Sequence, residues 1–425
     1  MINIKLLREK PEIIKEALKK RGVEVDVDYL RELDEKIRKL KKEIDDLRKK
    51  RNELSSFKKL NPSQIEEARR IKEEIKQKEK DLEGLLAEFN SIFILIPNIP
   101  QDDVPVGKDE SGNVVIKEWG KPKEFKFTPK DHLELGELWD LIDVKRASKI
   151  SGTRFGILKN EAVLLEFALI RFTYDFLIKK GFTPVIPPVL IRPEMMKGMG
   201  YIDTDQDLQE RYFLEKDNLF LVGTAEQAVG PMHKDEIFEE KDLPKRYVAF
   251  SPCFREEAGS YGKDTRGIFR VHQFDKIEMF SFVKPEDSKK EHQFLLSLAE
   301  KLMQSLQIPY RVLHLCTGDM ARPSSSTYDI EAWIPSQNKY RETHSISNCT
   351  DFQARRLNIR FRRQATAKLE FVHTLNGTAF ALGRILIAIF ENYQREDGTI
   401  EVPRVLRKYA GFKQIPWTKW RKLFK

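Results

Sequence analysis

Two stretches of heptad-spaced apolar residues, separated by a proline-containing turn, constrain the fold of this chain more than any other sequence feature. Apolar side chains recur at alternating intervals of three and four residues, which is the spacing of a narrow seam between paired helices. They are Leu30, Leu33, Ile37, Leu40, Ile44, Leu47 and Leu54 in the first stretch, and Ala68, Ile71, Ile75, Leu82, Leu85, Phe89, Ile92 and Ile96 in the second. Arg51 and Lys78 interrupt the two seams.

The turn between the two stretches contains its own helix-start signals. Proline suits the first position of a helix, so Asn61-Pro62 predicts a turn followed by a helix. Ser63 and Glu66 have the spacing of a capping box. A short turn between two heptad helices predicts an antiparallel hairpin over residues 27–96. At ~1.5 Å per residue, this arm would be about 45 Å long.

The tip half of the predicted arm is rich in basic residues, in a chain whose formal net charge is +9. These residues are Lys49, Lys50, Lys58, Lys59, Arg69, Arg70 and Lys72. Acidic residues alternate with them, so an ordinary solvated coiled-coil face explains the pattern as well as contact with an RNA backbone does. The charge pattern alone leaves both interpretations open.

Several classes of protein are disfavoured by what the sequence lacks. The cysteines Cys253, Cys316 and Cys349 are far apart and form no C-x-x-C pair, so neither a disulfide scaffold nor a four-ligand zinc site is indicated. The N-terminus has no apolar core of a signal peptide, and no apolar run approaches the ~20 residues of a membrane span. These features predict a cytoplasmic protein with no membrane partner. Prolines and glycines in residues 101–130 predict a linker, and mixed helical and strand patterns follow from residue 131.

Three later segments combine polar and apolar residues in patterns that suggest chemistry. Residues 162–181 read as an amphipathic helix ending at Gly181, and the proline-containing run that follows predicts an edge strand or a subunit contact. Residues 248–282 predict a long β-hairpin with Arg255, Glu257, Arg270, Phe274 and Glu278 facing inward. Such a mixture is costly to bury unless it meets a ligand with phosphates, a flat ring and hydrogen-bond donors.

The third segment, residues 374–394, predicts a short strand between Gly377 and Gly383 followed by a helix. Arg384 falls in the first turn of that helix, where the helix dipole disfavours a cation. An anionic ligand would relieve this conflict.

In this order, the three segments resemble the signature motifs of class II aminoacyl-tRNA synthetases. The first gives G-F-x-x-V-x-x-P from Gly181, the second F-R-x-E from Phe254 with R-x-x-x-F-x-x-x-E from Arg270, and the third Gly383-Arg384 before a helix. Further strings resemble the seryl-tRNA synthetase family: TAE from Thr224, REEAGSYGKDTRGIFRVHQFDKIE from Arg255, RETHSISN from Arg341 and DFQARRLNIRFR from Asp351.

The resemblance implies an α+β fold, in which an antiparallel-sheet class II catalytic domain carries an N-terminal antiparallel α-helical coiled-coil arm. It implies an N-terminal tRNA-binding domain over 1–100, a linker over 101–130 and a catalytic domain over 131–425. The implied activity is ATP-dependent ligation of L-serine to tRNA(Ser) through a seryl-adenylate, and to tRNA(Sec) where that tRNA is present. The implied assembly is a homodimer, and the implied metal is Mg²⁺.

The resemblance also implies roles for particular residues. The expected catalytic residues are Arg255, Arg384 and Glu342. The expected ATP-binding residues are Arg255, Glu256, Glu257, Phe274, Glu342, Thr343, His344, Ser345 and Arg384. The expected L-serine-binding residues are Thr224, Ala225, Glu226, Arg255, Glu278 and Thr378. Glu342 and Ser345 are expected to hold Mg²⁺, which prefers oxygen ligands.

Three positions depart from the pattern that is usual among bacterial relatives. Ser326 replaces a lysine, Ile346 a cysteine and Gly223 a proline. The first departure puts a contact near the substrate in doubt.

Three alternative functions are consistent with parts of the pattern. They are a class II synthetase for another small amino acid, a synthetase-like ligase that loads a carrier protein, and an RNA-binding scaffold without activity. Only about 40 residues follow Arg384, too few for the C-terminal anticodon-binding domain of prolyl and threonyl relatives. Carrier-loading relatives lack the long arm, and an inactive scaffold would not need all three motifs intact.

Overall fold

The computed structural model describes residues 1–56, 61–258, 264 and 266–417. The chain divides into two compact units, Met1–Ile99 and Pro100–Lys425. Lys58 and Lys59 of the basic arm tip lie outside the described residues, as do residues 259–263 and 265 of the predicted β-hairpin.

The first unit is helical. Its helices are α1 (Ile4–Glu9), α2 (Pro11–Arg21), α3 (Val27–Ser55) and α4 (Pro62–Phe93). Helices α3 and α4 run antiparallel, since the Tyr29 hydroxyl donates to Glu88 Oε1 at 2.5 Å, whereas Lys78 donates to Glu43 Oε2 at 2.7 Å. The predicted arm is therefore confirmed, and Lys78 interrupts the apolar seam because its ammonium group reaches a carboxylate of the facing helix.

Burial along the arm follows the heptad positions. In α3, the seam residues Leu30, Leu33, Ile37 and Ile44 are buried, and in α4 Ile71, Ile75 and Phe89 are buried. Near the end of α4, Phe93 is buried and the predicted seam residue Ile92 is only half-buried. The capping box was predicted at the wrong pair of residues. The Asn61 side chain accepts from the Gln64 N–H at 2.8 Å, and the Gln64 side chain accepts from the Asn61 N–H at 2.9 Å. Because Pro62 occupies the first helical position, the cap is the residue before it and Ser63 already lies inside the helix.

The second unit is built from ten helices and eighteen strands in the described part of the chain. Its helices are α5 (His132–Leu138), α6 (Val144–Ser151), α7 (Glu161–Ile178), α8 (Pro193–Met199), α9 (Asp205–Gln209), α10 (Glu226–Val229), α11 (Ser288–Leu306), α12 (Phe352–Leu357), α13 (Leu382–Asn392) and α14 (Arg407–Ala410). Its strands are β1 (Val114–Trp119), β2 (Ile142–Asp143), β3 (Ile157–Leu158), β4 (Thr183–Val185), β5 (Leu190–Ile191), β6 (Phe213–Leu214), β7 (Leu219–Leu221), β8 (Ile237–Glu239), β9 (Lys245–Phe254), β10 (Gln273–Val283), β11 (Tyr310–His314), β12 (Ser326–Ile334), β13 (Lys339–Asn348), β14 (Arg360–Arg362), β15 (Leu369–Phe371), β16 (His373–Ala381), β17 (Ile400–Glu401) and β18 (Gln414–Ile415).

An eight-stranded sheet organises this unit, in the order β1-β11-β12-β13-β16-β10-β9-β4. Every pairing in it is antiparallel except that of β4 with β9. The predicted hairpin of β9 and β10 is present, and β4 lies at an edge, as the prolines in and after it predict. Strand β1 lies within 101–130, the range predicted as a linker, and pairs with β11 at the other edge of the sheet.

One face of the sheet is covered by apolar helices, and this leaves the other face for polar side chains. Ile277 and Met279 of β10 are fully buried in a core that also contains Leu169 of α7, Leu302 of α11 and Leu386 of α13. None of the helices in the described ranges combines the length and hydropathy needed to cross a lipid bilayer.

Candidate active site

A cavity of about 510 Å³ lies on the polar side of the eight-stranded sheet. Eleven of the residues predicted from sequence line it: Thr224, Glu226, Arg255, Glu257, Phe274, Glu278, Glu342, Thr343, Ser345, Thr378 and Arg384. They come from the β9–β10 hairpin, α10, β13, β16 and the start of α13. Residues from distant parts of the sequence therefore meet because the central strands are neighbours in the sheet.

Arg255 lies directly after β9 and faces an aromatic ring. Its guanidinium carbon is 5.2 Å from the centroid of the Phe274 ring, and its Nε donates to the Gly223 carbonyl at 3.2 Å. Guanidinium groups favour such positions over an aromatic face. The contacts hold the charged end of Arg255 at the cavity wall, where an anion can reach it.

Glu257 and Arg270 close the hairpin end of the cavity. Glu257 has a left-handed φ of 52°, and its Oε2 accepts from Arg270 Nη1 at 2.5 Å. The side chain of Glu256 does not line the cavity. Burial and the adjoining Glu256 carboxylate raise the pKa of Tyr212 to about 12. Glu256 thus bonds to Tyr212 instead of facing the cavity.

The opposite end of the cavity contains a buried group of hydroxyls and charges. Thr224 donates to Glu278 Oε2 at 3.3 Å, and Lys276 donates to Thr378 Oγ1 at 3.4 Å. Lys276 also pairs with the Glu278 carboxylate. Glu278 and Thr378 are direct neighbours across β10 and β16. This end therefore offers both donors and acceptors to a small polar ligand.

Burial raises the pKa of the Glu278 carboxyl to about 7, although the Lys276 ammonium opposes the rise. On α10, Glu226 is 4% exposed and accepts from the Tyr201 hydroxyl. Burial and the Glu226 charge raise the pKa of Tyr201 well above its ordinary value, so the phenol stays protonated and remains a donor. Ala225 does not line the cavity; it is fully buried in a second apolar cluster.

Arg384 is held where the sequence placed it, in the first turn of α13. Its Nη1 lies 3.2 Å from Glu342 Oε1 and donates to the Glu342 carbonyl at 3.1 Å. Its Nε donates to the Phe269 carbonyl at 3.4 Å. Contacts with Glu342 and with the Phe269 carbonyl thus hold the guanidinium of Arg384 in place.

The residues of β13 divide between the cavity and the core. Thr343 and Ser345 line the cavity, whereas His344 faces the core with its Nε2 3.0 Å from the Ala379 carbonyl. Burial lowers the pKa of His344 to about 3, so its ring is neutral. His344 does not line the cavity, and its place among the ATP-binding residues stays a prediction.

The comparisons with known proteins agree with this geometry. Residues 212–393 match the family model described as tRNA synthetase class II core domain (G, H, P, S and T), and residues 1–100 match the Seryl-tRNA synthetase N-terminal domain. Serine--tRNA ligase of Dictyoglomus turgidum is 49% identical over 98% of this chain and 99% of its own length. The chain belongs to the seryl-tRNA synthetase family.

Other members of the family show the same extent of similarity. Serine--tRNA ligase of Thermotoga maritima is 47% identical, over 98% of this chain and 100% of its own. The crystal structure of seryl-tRNA synthetase from Pyrococcus horikoshii complexed with ATP has a TM-score of 0.90 and 44% identity, covering 98% of this chain and 99% of that one. The α+β fold predicted from sequence is thereby confirmed.

The three departures from the bacterial pattern of the family have separate structural explanations. The Ser326 hydroxyl lies 3.1 Å from His314 Nε2, both residues are buried, and Ser326 does not line the cavity. Ile346 is fully buried in the core. Gly223 donates its N–H to Gln227 Oε1 at 2.7 Å, a bond that a proline could not make.

The fit of the β13 residues to Mg²⁺ can be judged from their donors. Asp329 of β12, which the sequence analysis missed, accepts from the Ser345 side chain, while its Oδ1 is buried without a partner among the described residues. In those same residues no group of three or more Asp, Glu, His or Cys side chains could hold a metal. The oxygen donors suit Mg²⁺, which commonly takes one or two carboxylates and completes its shell with water and phosphates.

Lys276, Tyr201 and Arg211 also line the cavity and were not singled out from the sequence. Lys276 could have been predicted, because it lies two residues from both Phe274 and Glu278 along β10. Every second side chain of a strand points to the same face. Tyr201 and Arg211 lie on the segment around α9, where no strand or helix period indicates which side chains turn inward.

Proposed function

We propose that this chain ligates L-serine to tRNA(Ser) in two steps, through a seryl-adenylate. A single observation carries the proposal: one cavity contains Glu278 and Thr378 at one end, and Arg255 and Arg384, set to bind phosphate, elsewhere on its wall. Serine and ATP are the substrates that combine a small hydroxyl-bearing amino acid with a chain of phosphates. Membership of the seryl-tRNA synthetase family supports the same choice.

The serine end discriminates through hydrogen bonds. In the proposed complex, Glu226 and Thr224 bind the ammonium group, while Glu278 and Thr378 bind the hydroxyl. Alanine has no hydroxyl and would leave these buried polar groups unpaired, which is the arrangement that rejects an analogue most strongly. Serine is therefore selected because its hydroxyl forms hydrogen bonds with Glu278 and Thr378, which alanine cannot do.

The ATP end combines stacking with charge. Phe274 stacks on adenine and Glu257 accepts from its amino group. Arg255 binds the α-phosphate and Arg384 the γ-phosphate, and for this Arg384 exchanges its contact with Glu342 for one with ATP. Fixed guanidinium groups stabilise charge that develops on phosphorus without having to reorganise.

Glu342 and Ser345 are the residues that would hold Mg²⁺, with Asp329 orienting the Ser345 hydroxyl. When bound, Mg²⁺ neutralises negative charge on the phosphates. The chain itself holds the two arginines and the carboxylates at fixed positions around the reacting groups.

The reaction needs no covalent enzyme intermediate. In the first step, a serine carboxylate oxygen attacks the α-phosphorus, and the bond to pyrophosphate breaks. In the second, a hydroxyl of the 3′-terminal adenosine of tRNA attacks the seryl carbonyl, and AMP leaves. Catalysis is then mainly positioning and charge stabilisation, which the cavity residues provide.

The other proposed properties concern partners and place. The arm binds tRNA(Ser), and tRNA(Sec) is a second acceptor where it is present. The enzyme works as a homodimer in the cytoplasm, with residues 1–100 as the tRNA-binding domain and residues from 131 as the catalytic domain. Exposed basic side chains on α3 and α4 support the tRNA contact, since Lys49 and Lys50 are exposed.

Amino-acid-dependent pyrophosphate exchange tests the proposal directly, with serine, threonine, alanine and glycine compared at equal concentrations. Exchange is expected with serine alone. Arg255→Ala should lower the rate of exchange, because the variant loses about 2–4 kcal/mol of transition-state stabilisation. Arg395→Ala, at an exposed arginine that does not line the cavity, is the matched control and should retain exchange. Exchange driven equally by another amino acid would indicate a different class II enzyme.

A further inference from the structure

Arg211 is one of four arginines that line the cavity, and it forms no ion pair with the residues that the structure describes. Arg211 lies between α9 and β6 and lines the same cavity as Arg255. Among the described residues no carboxylate lies within 4.0 Å of its guanidinium, although the charges of Asp207 and Glu210 act on it from a greater distance, and its buried Nε has no hydrogen-bond partner. Its visible polar contact is Nη1 donating to the Glu210 carbonyl at 3.1 Å. A partly buried guanidinium in this state is incomplete without an anion.

Two like charges share this part of the cavity. Burial lowers the pKa of Arg211, and the positive charge of the neighbouring Arg255 lowers it further. Arg255 likewise has no carboxylate within 4.0 Å among the residues that the structure describes, and its Nε is bonded to a carbonyl. Two adjacent guanidinium groups that have no carboxylate within ion-pair distance in the described part of the chain form a subsite for an anion supplied by a ligand.

The position of Arg211 indicates which anion this is. Its guanidinium carbon lies 5.4 Å from the centroid of the Tyr201 ring, and the Tyr201 hydroxyl donates to Glu226. The unpaired cation is therefore one residue removed from the buried carboxylate that suits an ammonium group. A free amino acid carries an ammonium and a carboxylate only one carbon apart, so it can satisfy both.

We propose that Arg211 is a second binding residue for the carboxylate of the amino-acid substrate, acting beside Arg255. The inference rests on the proposed function and assigns to a residue outside the recognised motifs a part of substrate binding. Arg211 and Arg255 hold the carboxylate from two sides, and Glu226 holds the ammonium group with the Tyr201 hydroxyl keeping that carboxylate in position.

Kinetics of Arg211→Gln test the assignment. Loss of a hydrogen bond to a charged group should raise KM for serine by about ten- to a hundredfold, with KM for ATP unchanged. Serinol, which retains the ammonium and hydroxyl groups but has no carboxylate, is the probe for a merely structural effect. Its inhibition constant against serine should stay within about twofold of the wild-type value, because serinol has no carboxylate for Arg211 to bind.

Tyr201→Phe is the matched variant. It keeps the ring under Arg211 but removes the donor to Glu226, so KM for serine and the inhibition constant of serinol should rise together. If Arg211→Gln raises both constants by one factor, Arg211 only supports the site and the assignment fails. An unchanged KM for serine also overturns it.

Arg211→Lys provides the same comparison should the glutamine variant not fold. The ratio of KM for serine to the inhibition constant of serinol is expected to rise, and an unaltered ratio counts against the assignment. Failure of the proposed function is a different outcome: the wild-type protein itself would then show no serine-dependent exchange.

Discussion

Lys276 sets the charge of the carboxyl group that would read the serine hydroxyl. Its ammonium pairs with Glu278, whose pKa burial raises to about 7. Glu226 also faces Glu278 and opposes ionisation, while Thr224 donates to it. An anionic Glu278 accepts the hydroxyl hydrogen of serine, so kcat/KM for serine is expected to rise with pH through about 7.

Lys276→Met should move this pH profile in a definite direction. The positive charge favours the anionic form of Glu278, so its removal raises the pKa of the carboxyl by about one unit or more. The rising limb of kcat/KM for serine should then shift to higher pH, since that quantity reports ionisation in the free enzyme. Lys276→Arg keeps the charge and should keep the midpoint; an unmoved midpoint in the methionine variant would contradict the prediction.

Glu278 and Thr378 allow a second test at the residue scale. If their side chains bind the hydroxyl, the double variant Glu278→Ala with Thr378→Ala loses most of the preference for serine over alanine, by about tenfold or more. The quantity to measure is the ratio of kcat/KM for the two amino acids. An unaltered ratio would mean that another group recognises serine.

The sequence predicted the candidate site best where a motif fixes both the residue and its strand. Arg255, Phe274 and Glu278 line the cavity because they fall on one face of a hairpin. His344 and Glu256 also fall within matched segments but do not line the cavity: the His344 ring faces the Ala379 carbonyl, and Glu256 bonds to Tyr212. Motif matching identifies such positions without their orientation.

At the scale of elements, the arm was the most predictable part of the fold. Its core depends on seam residues that are close in sequence along each helix, so local spacing sufficed to predict α3 and α4. The error at the cap arose from one residue: the sequence offered two overlapping capping pairs, and Pro62 selected the earlier one.

Shortening the arm across its tip, from about Lys49 to Lys72, separates its proposed role from the chemistry. The residues that line the cavity all lie beyond residue 200, so serine-dependent exchange should be almost unchanged. Binding of tRNA(Ser) should weaken, and the log–log dependence of affinity on salt should flatten by about 0.7–0.9 for each phosphate that is no longer neutralised. Filter binding at several salt concentrations measures both.

A variant with an arm of full length distinguishes the effect of the basic side chains from the effect of the length of the arm. Serine substitutions at Lys49, Lys50, Arg69 and Arg70 remove exposed basic side chains but leave the hairpin its length. If these residues contact phosphates, this variant should show the same flattened salt dependence. If both variants keep the wild-type affinity for tRNA(Ser) and the wild-type salt dependence, the arm is a solvated coiled coil without the proposed contact.

The docking of α7 on β10 buries a pair of carboxyl groups. Burial, with the charge and hydrogen bond of Asp275, raises the pKa of Glu166 to about 8. An unfolded glutamate titrates near about 4.3, so between these values the folded chain binds the extra proton and rising pH lowers the free energy of unfolding. In Glu166→Gln, the decrease in the free energy of unfolding with rising pH should be smaller by about 1–3 kcal/mol.

Melting temperatures at about pH 5.5 and about pH 8 measure the effect. The decrease between these two values should be smaller in Glu166→Gln than in the wild-type protein. Glu194→Gln, at a glutamate whose side chain is 55% exposed, is the control and should behave as wild type. Equal decreases in melting temperature in all three proteins would show that ionisation of Glu166 does not destabilise the folded chain.

For the whole molecule, the pairings that the sequence could not predict are those between distant segments. Strand β1 pairs with β11 across roughly two hundred residues, Val114 opposite His314, and β16 lies between β13 and β10. Such contacts depend on the global arrangement of the sheet, whereas local composition in 101–130, rich in proline and glycine, indicated only an irregular segment.

The edge of the sheet at β4 yields the last prediction, which concerns assembly. Strand β4 is terminal in the sheet order of the described residues, and the Tyr174 hydroxyl of α7 donates to the Val185 carbonyl at 3.0 Å. Ile186 is 81% exposed and Phe167 of α7 is 65% exposed. An uncovered edge with large apolar side chains is a site for association.

A second copy of the chain is the partner proposed for this edge, because an isologous contact covers it in both subunits. Light scattering at low micromolar concentration should report a dimer of the 49.8 kDa chain. Glutamate at both Ile186 and Phe167 should shift the protein toward the monomer, because each charge would be buried without a partner in the interface. Glutamate at exposed Ile65 of the arm is the control and should leave the dimer intact. A wild-type monomer with full exchange activity would show that the edge at β4 has no role in assembly.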